Sequence, residues 1–149
     1  LESGRVRAIG VSNFQAEHLR TIIEATGVTP AVNQIELHPY LCQEQLRALH
    51  DSLGIVTESW SPLGRGRLLE EPVVRDVAAT LGVTPAQVVI RWHVQHGLVV
   101  IPKTTHCERM RVNADVFSFG LSREQMAAID ACDRGLRTGS HPDRVQERS

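Results

Sequence analysis

Two cations six residues apart, Lys103 and Arg109, flank Thr104 and Thr105 where a helical pattern begins. Helix N-terminal amides and charge-assisted hydrogen bonds both favour an anion at such a place. A second polar set lies at the ends of apolar runs. Ser12 and Asn13 close one run and Gln34 lies in the next, so a hydroxyl and two amides are available to hold a carboxamide. Trp60 closes a third run and offers a flat ring face for stacking. Ser61, Leu63, Gly64 and Arg65 follow on a loop whose glycine permits close backbone approach to a ligand. The same residues also have plain structural uses. Ser12 or Asn13 can cap the next helix, Trp60 can pack in a core, and two isolated cations can form a solvated pair.

Other constellations carry less chemistry. Glu36 and His38 invite an acid/base reading, but a His-Pro turn more often shapes a loop. His93, His96, His106 and Cys107 suggest a metal, yet only His93 and His96 have ligand-like spacing and no C-x-x-C accompanies them. Surface histidines and no metal are the expectation. Gly10-Val11-Ser12-Asn13-Phe14 misses the G-x-S-x-G elbow, because Phe14 stands where that turn needs glycine.

Four runs rich in valine and isoleucine must position these groups as strands: Arg7 to Ser12, Val32 to Leu37, Ile55 to Trp60 and Leu98 to Pro102. Their near-continuous apolarity predicts burial on both faces. Helical periodicity separates them, with Leu19, Ile22 and Ile23 ending at Gly27, and Leu46, Leu49 and Leu53 ending at Gly54. The third connection holds two helices, one opening at Pro72 and one capped by Thr84 with Gln87. Thr105 with Glu108 and Ser122 with Gln125 predict two more capped starts, and the tail from Gly135 reads as irregular. Strands alternating with helices imply a parallel α/β sheet. No G-x-G-x-x-G or phosphate-loop signature occurs, which favours a barrel arrangement with its polar rim at the strand ends.

A chain of 149 residues allows one domain, here 1–149. Sixteen Lys+Arg against seventeen Asp+Glu leave a formal charge of −1, so nucleic acid is not an expected partner. Apolar stretches are far below the roughly 18 residues needed to cross a bilayer, so no membrane span is expected. Cys42, Cys107 and Cys132 are odd in number and widely spaced, which suits a reducing, cytoplasmic setting. The chain opens on Leu1, without a signal-peptide pattern, and reads as part of a longer protein.

Four motifs stand together in one order. Gly10-Val11-Ser12-Asn13-Phe14, Asn33-Gln34-Ile35-Glu36-Leu37-His38-Pro39-Tyr40, Ser61-Pro62-Leu63-Gly64-Arg65-Gly66, and Ile101-Pro102-Lys103-Thr104 through Arg109 resemble the aldo-keto reductase family. The resemblance runs from about Gly4 to Asp133 and corresponds to the C-terminal half, about strands 5–8, of that family's (β/α)8 TIM barrel. Trp60, where most members have tyrosine, is similar to the branch of sugar-acid and diketogluconate reductases.

The resemblance implies reduction of aldehydes and ketones with NADPH, the substrate being a small carbonyl compound. It implies that Ser12, Asn13 and Gln34 grip the nicotinamide amide, that Trp60 stacks on the ring, and that Ser61, Leu63, Gly64 and Arg65 close over the pyrophosphate. Lys103, Thr104 and Arg109 would take the 2′-phosphate and Asn113 the adenine, although Val112 stands where many members carry glutamate. The family's catalytic Tyr, Asp, Lys and His lie in the other half of its barrel. This chain has one tyrosine, Tyr40, and one lysine, Lys103, at neither catalytic position, so no catalytic residue is expected within it and the chain alone is expected to be inactive. The alternative is a non-catalytic, NADP(H)-binding or self-associating half-barrel with a regulatory role. Four parallel strands leave two open edges, so self-association of the chain alone is expected, and a monomer for the completed barrel.

Overall fold

The computed structural model describes residues 1 and 3–144. Strand β1 (Gly10–Ser12) is followed by α1 (Ala16–Thr26), β2 (Val32–Glu36), α2 (Glu44–Leu53) and β3 (Val56–Trp60). A 3-10 segment (Gly64–Glu70) then leads to α3 (Pro72–Leu81), α4 (Pro85–Gln95), β4 (Val99–Val100), α5 (Cys107–Ala114) and α6 (Arg123–Asp130). The strands form one parallel sheet in the order β1-β2-β3-β4. The α/β expectation therefore holds. The two central strands match their sequence limits to within a residue, whereas β1 and β4 are shorter than expected. Each of those edge strands has a single neighbour to pair with, and Ile9 is tied to the sheet only through its carbonyl, which accepts from Ala31 N–H at 2.8 Å.

The helix ends follow local chemistry. Gly27 and Gly54 close α1 and α2 in the left-handed conformation, with φ of 66° and 69°. The Thr84–Gln87 and Ser122–Gln125 capping boxes both form. The expected cap at Thr105 does not. Thr104 Oγ1 accepts the His106 N–H at 3.2 Å, the backbone turns one residue later, and His106 becomes the cap of α5. Arg109 still lies in the first turn of that helix.

Burial on both faces of the sheet is also corrected. One face, with Asn33, Ile35, Thr57 and Ser59, packs beneath the helices and is buried. The core there is completed by Leu19, Val74, Val88, Val89, Trp92 and Ile129. The other face is layered by the strand register. Gly10, Val32 and Val56 form one row, Ser12, Gln34, Glu58 and Val99 the next, and Glu36 and Trp60 the last. Among the described residues no helix covers that side, and Val56 and Val99 are 47% and 43% exposed. A β-carbon on Gly10 would lie 2.4 Å from Val32 Cγ1, so the first row requires glycine beside valine.

Three histidines are buried, and His93 is among them, against the expectation of a surface residue. His93 lies between the Val89 and Leu37 carbonyls at 2.8 and 3.2 Å, and burial drives its pKa down to about 4 despite those two acceptors. His106 and Cys107 are exposed, His96 pairs with Asp130 at 2.9 Å, and among the described residues no group of His, Cys, Asp or Glu is placed to hold a metal ion.

His50 completes a relay beneath β1 and β2. Asn33 Nδ2 donates to the Phe14 carbonyl at 2.8 Å and lies 3.0 Å from His50 Nε2. Asn33 Oδ1 accepts the Phe14 N–H at 3.3 Å. With the amide donating, His50 Nε2 accepts and its Nδ1–H donates to Thr57 Oγ1 at 2.8 Å. Burial lowers the His50 pKa, consistent with this neutral ring. The relay fastens the turn at Asn13 and Phe14 to the two strands beside it.

Two outcomes follow. Asn33→Ala leaves both Phe14 backbone groups and the Nε2 atom of His50 without partners, and is expected to lower unfolding free energy by roughly 2–3 kcal/mol in urea titrations. Neutral His93 in the fold, against an unfolded value near 6.5, gives stability that is complete above pH 6.5 and is lost as pH falls toward 4. Thermal melts stepped through that window should show a falling midpoint, and His93→Phe should flatten the slope.

Candidate functional site

The C-terminal ends of all four strands open on one rim, where the residues singled out by the sequence collect in two groups. In the first, Ser12 Oγ donates to the Gln34 carbonyl at 3.2 Å and Asn13 N–H donates to the same oxygen at 2.8 Å. Asn13 takes a positive φ of 60°, a conformation that asparagine tolerates better than most residues. Its Oδ1 accepts the Trp60 indole N–H at 2.8 Å. Gln34 Nε2 donates to the Glu58 carboxylate. Ser12, Asn13, Gln34 and Trp60 are thus one hydrogen-bonded cluster at the rim, on the side of the sheet away from the helices.

The second group lines two adjoining cavities that share Leu63 and Lys103. One, of about 310 Å³, is walled by Ser61, Arg65, Gly66 and Ile101. The other, of about 480 Å³, holds Thr104, Arg109 and Asn113 together with Glu70, Glu108 and Val112. Both fall in the size range of small-molecule sites. Ser61 and Arg65 have φ values of 50° and 54°, so the loop after β3 turns tightly twice. Gly64 is buried against Leu68, and it is Gly66 that forms cavity wall. Among the described residues neither Lys103 nor Arg109 is paired with a carboxylate, so both charges remain available to an anion.

Several neighbours were not legible as site residues. Glu58 stands beside Gln34 because the parallel register aligns them, a signal present in the period-two pattern of β3. Glu36, the last residue of β2, and His38, whose His-Pro turn reads as shaping a loop, are both fully buried. Glu36 accepts from Thr138 N–H and Oγ1 at 2.5 and 2.6 Å and from Gly139 N–H at 3.1 Å, with His38 Nε2 at 3.3 Å. Burial raises the Glu36 pKa, but the Thr138, His38 and Gly139 hydrogen bonds outweigh it and hold the carboxyl below the usual range. The irregular tail is therefore docked on the rim.

Tyr40 is not placed for acid catalysis. Its hydroxyl donates to Glu71 Oε2 at 2.7 Å, and burial together with that carboxylate pushes its pKa up to about 12.

Similarities to known proteins agree with this geometry. The signature of the Aldo/keto reductase family matches residues 1–134. An aldo-keto reductase of Mycolicibacterium smegmatis is 55% identical over 141 residues, which cover 95% of this chain and 51% of that protein. A 2,5-diketo-D-gluconic acid reductase B of a Corynebacterium strain is 54% identical over 147 residues, covering 98% of this chain and 53% of that protein. Among solved structures, a variant of Gox0644 in complex with NADPH superposes with a TM-score of 0.94 at 52% identity, covering 97% of this chain and 54% of its own. The chain thus spans about half the length of the relatives it matches, and its four-stranded sheet is a partial barrel. With the parallel sheet, its polar rim and a signature that spans most of the sequence, the chain belongs to the aldo/keto reductase family.

Proposed function

We propose that this chain forms the dinucleotide-holding part of an NADP(H)-dependent reductase of small aldehydes and ketones. The observation that carries the reading is the arrangement of the rim. A hydrogen-bonded cluster of carboxamide-binding groups around Trp60 is continuous, through the Ser61–Gly66 loop, with two cavities that end at two cations unpaired among the described residues. An elongated ligand with an amide-bearing ring at one end and a phosphate at the other fits that order of groups. Family membership and the NADPH complex of a structural relative support it.

In this reading Ser12, Asn13 and Gln34 hold the ring carboxamide, and Trp60 stacks on the ring and sets which face is presented. Ser61, Leu63, Gly64 and Arg65 cover the pyrophosphate, with Gly66 beside them. Lys103, the Thr104 hydroxyl and Arg109, with the first amides of α5, take the 2′-phosphate. Asn113 reaches the adenine. The bound cofactor supplies the hydride, while these residues orient it. The carbonyl is protonated by groups outside this set, since Tyr40 is committed to Glu71 and Lys103 to the anion. A reducing, cytoplasmic setting is part of the proposal and suits three unpaired cysteines.

Titration of the 149-residue chain with NADPH and NADH, followed by tryptophan fluorescence, tests it. Lys103→Ala and Arg109→Ala should each weaken NADPH by about 10–100-fold, the equivalent of a lost charge-assisted hydrogen bond, and NADH little. Equal losses for both nucleotides would show that neither side chain reads the 2′-phosphate.

One observation favours a second reading, a self-associating NADP(H)-binding chain. Both edge strands are open to pairing, and Val56 and Val99 are exposed on the same face of the sheet. Sedimentation velocity over a concentration series should show mass rising above 16.5 kDa. A sharp monomer at every concentration would rule out self-association.

A further inference from the structure

The buried Glu36 carboxylate is absorbed by none of the roles above, yet it is the most heavily bonded acid in the site. It sits at the last residue of β2, in register with Trp60 on β3. Besides His38, its partners come from residues about a hundred positions later. Thr138 gives both its amide and its hydroxyl, and Gly139 gives its amide to both carboxylate oxygens at 3.1 and 3.2 Å. Arg137 Nη1 lies 3.8 Å from the carboxylate, and its Nη2 donates to Gln43 Oε1 at 3.3 Å. Gln43 in turn donates to the Glu36 carbonyl.

The consequence falls on Trp60. A β-carbon on Gly139 would lie 2.5 Å from Trp60 Cη2 and 3.3 Å from Glu36 Oε2, so the tail backbone presses directly on the benzo end of the indole. The pyrrole end is tied to Asn13 by its N–H. The ring is therefore held at both ends, once by β1 and once by a tail that is itself held by Glu36. A glycine is needed at 139 because any side chain would displace either the ring or the clasp.

We propose that Glu36 is a positioning residue: it clasps Arg137–Gly139 to the rim and, through Gly139, fixes the plane of Trp60 as the platform for the ring of a bound dinucleotide. The role acts at one end of the ligand site only, because Lys103 lies in the loop after β4 and Arg109 on α5. It rests on the reading of Trp60 as a ring platform. The experiment below separates failure of the clasp from failure of that reading.

Glu36→Gln, Thr138→Val and Gly139→Ala are made in the 149-residue chain, with Trp60→Phe to subtract the signal of buried Trp92. Thr138→Val keeps the backbone donor and shape, so it carries the test should Glu36→Gln fail to fold. The first two variants should raise acrylamide quenching of Trp60 about twofold and speed tryptic cleavage after Arg137 about tenfold, as local opening increases. All three should weaken NADPH about tenfold while 2′,5′-ADP, which carries the adenosine half alone, binds as before. Glu36→Asp should recover much of the NADPH affinity. Unchanged quenching and cleavage in both Glu36→Gln and Thr138→Val would overturn the clasp, and equal losses of NADPH and 2′,5′-ADP would overturn its restriction to the ring end. If Trp60→Phe binds NADPH as the parent does, the platform reading falls, while increased quenching and cleavage still establish the clasp.

Discussion

Parallel pairing of β1 with β2, β2 with β3 and β3 with β4 sends the ends of all four strands to the same rim, and the other features of the site depend on that. Antiparallel pairing of any one strand would carry its last residue to the opposite end of the sheet. Because the strands agree in direction and register, Ser12 lies beside Gln34, Gln34 beside Glu58, and Glu36 beside Trp60. Residues as far apart in sequence as 12 and 60 thereby form one hydrogen-bonded cluster. The helices behind the sheet bury the alternate side chains, which leaves the polar set facing away from the core.

Much of this is legible in the amino-acid sequence. Short valine- and isoleucine-rich runs, glycine stops and S/T-x-x-Q starts identify elements through local chemistry, and local chemistry decides those elements in the structure. The exceptions share a cause. Thr105 has the spacing of a cap, but Thr104 accepts the His106 N–H and the helix begins one residue later, with His106 as its cap. The strands are apolar enough for two-sided burial, yet whether a second layer covers them is settled by tertiary contacts and not by composition.

Buried polar groups were the least legible. Nothing in the neighbourhood of His93 or His50 in the sequence distinguishes a surface imidazole from one locked between carbonyls or within a relay. The difference is made by Leu37, Thr57 and Asn33, which arrive through strand pairing. Glu36 is harder still, since its partners lie in a tail with no periodicity to place it. The motif around Glu36 was readable, but what the carboxylate binds was not.

Tyr40 has a consequence outside chemistry at the rim. It is the chain's single tyrosine, and its phenol joins three segments: its own loop, the start of α3 through Glu71, and the tail through Arg134, whose guanidinium lies 4.5 Å from the ring centroid. Glu71 in turn pairs with Arg134 at 2.8 Å. A phenol whose ionisation is displaced to about 12 by this junction returns toward 10 once the segments part. The chain thus contains its own optical indicator, in which the alkaline midpoint of one ultraviolet band registers whether loop, helix and tail remain assembled.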